Sequence, residues 1–170
     1  MTSLLLAVLL FGRIELGGQI AGVYPVAGLD RFHSSSALLG AGIACASGPI
    51  RVELGYRYAG LPGIQNNPYR LSLHQVMFEG AYSFLRRGNW GIEAVTGAGF
   101  ALASRSYHSG LESGTVGSGQ LGCGFYQYAG NSRLSAGLVH TLFFEKGGSG
   151  SPAVAVSQML ALRAGVAYAF

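Results

Sequence analysis

Every second residue from Leu160 to Phe170 is apolar: Leu160, Leu162, Ala164, Val166, Tyr168 and Phe170. Between them lie Ala161, Arg163, Gly165, Ala167 and Ala169, which are small or charged. A period of two marks a strand with two unlike faces. The alternation returns along the chain, and no run of about 18 or more apolar residues replaces it, which excludes a spanning helix. Hydrophobic residues make up 49% of the sequence and charged residues 11%, the latter far below the roughly 25% of soluble domains. A chain this apolar and charge-poor, without a membrane helix, is either a dry β core or a barrel in a membrane.

Eight alternating segments can be counted. The first runs from about Gly12 to Val26, the second from Ala37 to Ala46, the third from Ile50 to Ala59 and the fourth from Leu71 to Phe84. The fifth starts at Trp90, the sixth covers about Gly119 to Tyr128, the seventh Arg133 to Glu145, and the eighth ends the chain. Short turns follow the second, fourth and sixth: Ser47-Gly48-Pro49, Leu85 to Asn89, and Ala129 to Ser132. Polar loops follow the others: Ala27 to Ser36, Gly60 to Arg70, Ser104 to Ser118 (with Tyr107, His108 and Glu112), and Lys146 to Pro152. Strands of about ten residues, an even count and alternating short and long connections are what a transmembrane barrel demands. The fold class is therefore all-β: a closed, eight-stranded, antiparallel up-and-down transmembrane β-barrel over residues 12–170.

The charges decide which face points out. Glu15, Glu53, Glu79 and Glu93 lie mid-strand on the non-apolar face, with Arg13, Arg51, Arg57 and Arg163 on the same face. Turned outward, that face would be mostly Gly, Ala and a few charges, too charge-poor a surface for water. Turned inward, its small residues leave volume for Arg and Glu to pair. Across the first tight turn, Ala46, Ala44, Gly42 and Gly40 should stand beside Arg51, Glu53, Gly55 and Arg57. The apolar face then meets lipid, and the closed ladder satisfies the backbone there. Trp90, Phe84, Tyr168 and Phe170 fall at the short-turn ends and Tyr24, Tyr58, Phe100 and Phe144 at the long-loop ends, as two interfacial girdles.

Residues 1–11 contain Leu4 to Phe11, LLLAVLLF, a length that suits a signal-peptide core and is too short to span. No basic residue precedes it and no small-x-small site follows, so it reads as a signal-peptide remnant. Cys45 and Cys123 fall on the second and sixth strands, roughly opposite each other, so neither a disulfide nor a metal site is expected. The net charge of +4 is too dispersed for nucleic-acid binding. No cofactor is implied.

A closing strand that ends on an aromatic, with apolar residues stepping back in twos, resembles the last strand of bacterial outer-membrane β-barrels. From residue 12 onward the chain resembles the small eight-stranded proteins of the OmpA/OmpX type. That resemblance implies an outer-membrane location, both termini periplasmic, and contact with outer-membrane lipid and lipopolysaccharide. It also implies that Tyr168 and Phe170 carry the signal read by the barrel assembly machinery.

Four features could bear function. The lumen set Arg13, Glu15, Arg51, Glu53, Arg57, Glu79, Glu93 and Arg163 is either a salt-bridge plug or a narrow polar pore, and eight strands enclose barely enough room for side chains. Val23, Leu38, Leu73, Met77, Ala101, Val139, Phe143 and Met159 form an apolar upper interior, either packed core or, by resemblance to the outer-membrane palmitoyltransferase, an acyl pocket. His140 faces lipid beside Leu138 and Leu142, where a polar group is costly; His74 is similar on the fourth strand. Outer-membrane lipid A deacylases carry a His-x-Ser pair on a late strand, but the residue two beyond His140 is Leu142, so the nucleophile position is empty. Gln158 is expected opposite His140 as a hydrogen-bond partner. Finally, Arg31, Arg70, Arg105 and Lys146 gather toward the long-loop rim, either to meet lipopolysaccharide phosphates or as solvated loop charge diluted by Asp30, Glu112 and Glu145. A structural or surface-interaction role follows, with a lipid A-modifying deacylase or acyltransferase as the alternative.

Overall fold

Gly48, Gly88 and Gly130 adopt positive φ of 59°, 58° and 61°, each as the first residue of a two-residue turn completed by Pro49, Asn89 or Asn131. A glycine in that position is what a type II′ hairpin turn requires, and its twist matches that of the flanking strands. In the computed structural model, which describes residues 12–27, 29–64, 69–107, 110–145 and 155–170, these turns join strands in pairs. The strands are β1 (Arg13–Val26), β2 (Ser36–Ser47), β3 (Ile50–Leu61), β4 (Leu71–Arg87), β5 (Trp90–Tyr107), β6 (Gly110–Ala129), β7 (Ser132–Glu145) and β8 (Ala155–Ala169). Each pairs antiparallel with its neighbour in sequence, and β1 pairs with β8 to close the barrel. The signal-remnant reading of residues 1–11 falls outside the described residues.

Following paired residues once around from Glu15 leads through Ala44, Glu53, Glu79, Gly97, Gln120, Thr141 and Met159 to Pro25. The circuit returns ten residues up its own strand. For eight strands that stagger tilts them by about 40° to the axis and sets a lumen that side chains can fill.

The outward positions are the apolar ones. Ile14, Leu16, Ile20, Leu39, Ile43, Leu54, Phe78, Leu121, Leu138, Leu162 and Val166 are all exposed. Aromatics ring both ends: Tyr82, Phe84, Phe125, Tyr168 and Phe170 at the short-turn end, and Tyr24, Tyr56, Phe100 and Phe144 at the other. Trp90 stacks on Phe125 at 5.9 Å, and Tyr168 meets Phe170 edge-on at 5.3 Å. An apolar belt between two aromatic rings is the surface that a bilayer covers.

Three local features differ from the sequence-based expectation. The expected loop from Ser104 to Ser118 is largely strand, since β5 and β6 stay paired out to Tyr107 opposite Gly110. Serine and glycine there carry no apolar contrast to reveal the pairing. The turn expected from Leu85 to Asn89 shrinks to two residues, because a bulge between Ser83 and Leu85 lets β4 continue to Arg87. The expected loop after β1 folds inward in part. Leu29 and His33 are buried, Ser34 N–H donates to Pro62 O at 3.0 Å, and Ile64 N–H donates to Phe32 O at 3.2 Å. His33 and Gly63 form a β-bridge, so the first two long loops are stitched together over the mouth.

That stitch should be sensitive to acid. Burial holds the His33 imidazole below the ordinary histidine pKa; hydrogen bonding to the Pro62 carbonyl opposes this and the nearby Arg105 charge adds to it. The opened loop takes up a proton more readily than the closed one, so closure is favoured above about pH 6.5 and is progressively lost as the pH falls below it. Amide exchange at Ser34 and Ile64, corrected for intrinsic rates, should quicken between neutral and mildly acidic pH. His33→Phe should flatten that dependence.

Candidate functional site: the charged layer of the lumen

Alternation sends the odd-numbered residues of β1, β3, β4, β5, β7 and β8 inward, together with the even-numbered residues of β2 and β6. Glycine and alanine on β2 make room for long side chains on β3, in the register expected: Ala46 opposite Arg51, Ala44 opposite Glu53, Gly42 opposite Gly55 and Gly40 opposite Arg57. A Cβ on Gly42 would stand 2.6 Å from Glu53 Oε1, so this wall is shaped around that carboxylate.

The charges form three ion-paired groups. Near the short-turn end, Arg51 donates from Nε to Glu15 at 2.9 Å and pairs through Nη1 with Glu53 at 2.6 Å. Glu15 is fully buried and also accepts from the Tyr128 hydroxyl at 3.0 Å. Arg133 pairs with Glu93 at 2.7 Å and lies 4.8 Å from the Tyr126 ring centroid. Glu79 is shared, pairing with Arg57 and, at 3.2 Å, with Arg163. Arg57 further donates to Gln120 at 2.8 Å, and Arg163 to Gln19 at 3.3 Å.

Seven of the eight lumen residues named from the sequence are therefore ion-paired inside the barrel, Glu93 with an arginine, Arg133, that was not among them. Arg13 does not join them. It opens β1 at the rim, donates to Asn131 at 3.2 Å and lies 5.6 Å from the Tyr128 ring centroid. Its place is taken by Arg133, whose parity with Ser135 and Gly137 was the available signal. Gln19, Gln120, Tyr126 and Tyr128 complete the set, all readable by parity. Glu15, Glu53, Glu79 and Glu93 face Arg51, Arg57, Arg133 and Arg163, and the layer is neutral.

Toward the long-loop end the interior turns apolar. Val23, Leu38, Leu73, Ala101, Phe143 and Met159 pack with Leu29, Leu61 and Leu71, each at 6% exposure or less. Met77 and Val139 are buried between this apolar layer and the charged one, and Ser118 Oγ lies 3.1 Å from Met77 Sδ. A cavity of about 80 Å³ lies in the charged layer, lined by Arg51, Glu53, Glu79, Glu93 and Arg163 among others. It has room for a few waters.

The chain aligns with Neisserial surface protein A over 92% of its own length and 97% of that protein, at a TM-score of 0.74 and 14% identity. It covers 94% of itself and 99% of Ail, the attachment invasion locus protein of Yersinia pestis, at 0.60 and 12%. The same shares hold for the N-terminal β-barrel domain of Pseudomonas aeruginosa OprF, at 0.58 and 17%. The fold is that of the small eight-stranded outer-membrane barrels. No protein-family model matches the sequence, nor does any curated protein.

In this barrel, His140 lies on the outer wall and bonds through Nε2 to Gln158 Oε1 at 3.0 Å. The two are diagonal rather than opposite, since His140 pairs with Leu160 and Leu142 with Gln158. Leu142 stands where a His-x-Ser pattern would place its nucleophile. His74, also outward, has its Nδ1 2.6 Å from the Tyr56 hydroxyl, a partner that the sequence reading did not name. Tyr168 and Phe170 project outward beside the β1–β8 seam, where Phe170 N–H donates to Ile14 O at 3.1 Å.

Proposed function

We propose that the chain is an integral protein of the bacterial outer membrane, with a structural or surface-interaction role and a lumen plugged by its own side chains. The supporting observation is the pairing of four arginines with four glutamates beneath a packed apolar layer. A conducting pore needs a continuous wet path, and the burial of Val23, Leu61 and Met159, each exposed by 1% or less, supports a closed one. In this reading both termini and the short turns face the periplasm, the long loops face outward, and residues 1–11 are what remains of an export signal. Tyr168 and Phe170 engage the assembly machinery, and lipopolysaccharide surrounds the long-loop half.

The test is electrical. The barrel reconstituted in planar bilayers under concentrated potassium chloride should show no unitary current steps. Steady steps from heat-shiftable, folded protein would favour the narrow-pore alternative. The lipid A-modifying alternative has its own measurement: lipid A mass spectra from cells with and without the protein should be identical, and a lost or gained acyl chain would establish it instead.

A further inference from the structure

Outward on β3 and β4, at the long-loop end, stand groups that the charged lumen does not use. Tyr58 pairs in register with His74, their rings 4.9 Å apart. Tyr56 binds His74 Nδ1 through its hydroxyl at 2.6 Å. When Nδ1 accepts from that hydroxyl, Nε2 carries the ring proton and is the atom that donates to a ligand. Histidine on a lipid-facing wall is costly unless it meets a polar partner at the interface.

Arg70 stands immediately before β4 and is exposed. An arginine at a membrane edge ordinarily carries its head toward water. This one leans the other way. A Cβ placed on Gly60 would be 2.6 Å from Arg70 Nη2 and 3.0 Å from its Nε, so the guanidinium lies across Gly60. Gly60 pairs with Ser72, which is two residues nearer the membrane than Arg70. Among the described residues no carboxylate pairs with Arg70. The cation thus comes down onto the outer wall just above Tyr58 and His74, at the level of the upper aromatic ring.

We infer that Arg70, His74 and Tyr58 hold the phosphate of a lipid headgroup against the outer face of β3 and β4. The guanidinium presents a planar fork that matches two phosphate oxygens, and the imidazole Nε2 and the Tyr58 hydroxyl offer further donors from below. Gly60 is small because the fork must cross it. The tyrosine rings cover the acyl boundary beneath the headgroup. The assignment of that lipid to the outer leaflet rests on the orientation proposed above; the phosphate chemistry does not.

The test is native mass spectrometry of the full chain in detergent micelles, titrated with diphosphoryl lipid A, fully dephosphorylated lipid A, phosphatidic acid and inorganic phosphate. Diphosphoryl lipid A and phosphatidic acid should be retained, and the phosphate-free lipid and free phosphate should not. Arg70→Ala should weaken retention about tenfold or more, the consequence of losing a charge-assisted fork. Arg70→Gln, which keeps the side-chain bulk, should do the same, and His74→Phe should weaken retention several-fold. Arg86→Ala, at the opposite end, should leave it unchanged, with the heat shift on gels confirming that every variant is folded. Equal retention of dephosphorylated lipid, retention of inorganic phosphate alone, or wild-type behaviour of both Arg70 variants would each overturn the site. Protease access to the long loops on intact cells tests the orientation separately: if those loops proved internal, phosphatidic acid would still bind in micelles and only the leaflet assignment would fall.

Discussion

Replacing Glu79 with alanine should destabilise the barrel by about 3–5 kcal/mol, because it leaves two buried cations without their shared carboxylate. Glu79 is 6% exposed, with Arg57 and Arg163 both paired to it. Each keeps a glutamine partner, Gln120 or Gln19, which supplies a dipole but no charge. Arg163→Ala should also weaken the fold, though less, since Glu79 retains Arg57. Denaturant unfolding in liposomes, followed by the loss of the unheated gel shift, gives both midpoints. A Glu79→Ala midpoint equal to the wild type would mean that the Arg57–Glu79–Arg163 group does not hold the walls together.

The second large effect lies on the lipid-facing side of β8. Leu162 sits at the centre of β8, one residue from Arg163, and is 59% exposed. Leu162→Arg should cost about 2–4 kcal/mol, the penalty of a cation on the lipid face near mid-depth. Its readout is folding yield into liposomes, where the variant should fall well below the wild type. The adjacent arginine is stabilising and this one destabilising because a single step along a strand exchanges lumen for lipid. Normal yield would overturn the assignment of faces.

How far these arrangements could be read in advance depended on whether an apolar contrast marked them. The β2–β3 register was legible residue by residue, since a two-residue turn at Gly48 and Pro49 leaves no freedom to slip. Parity along each strand separated lumen from lipid for Glu15, Glu53, Glu79 and Glu93. Partner choice across the lumen was not legible. It depends on the ten-residue stagger, which brings Arg57 of β3 to Gln120 of β6 and Arg163 of β8 to Glu79 of β4, and no local pattern encodes that stagger. The diagonal between His140 and Gln158 was missed for a related reason, since the long connection between β7 and β8 does not fix register as a tight turn does. The extension of β5 and β6 was hidden by serine and glycine, and the inward turn of Leu29 and His33 by the polar residues around them.

The seam between β1 and β8 has a kinetic consequence. Seven of the eight strand pairings join sequence neighbours and can form as local hairpins, three of them nucleated by a glycine turn. The eighth joins residues such as Glu15 and Ala169, at opposite ends of the chain, and loop-closure entropy makes such a contact slow to form. Until it forms, the inner edge of β1 and the outer edge of β8 present open rows of amides and carbonyls in a medium with no water to satisfy them. Folding of this chain should therefore be paced by a single late zippering event. A catalyst that shields those two edges would accelerate it more than one that assists any hairpin.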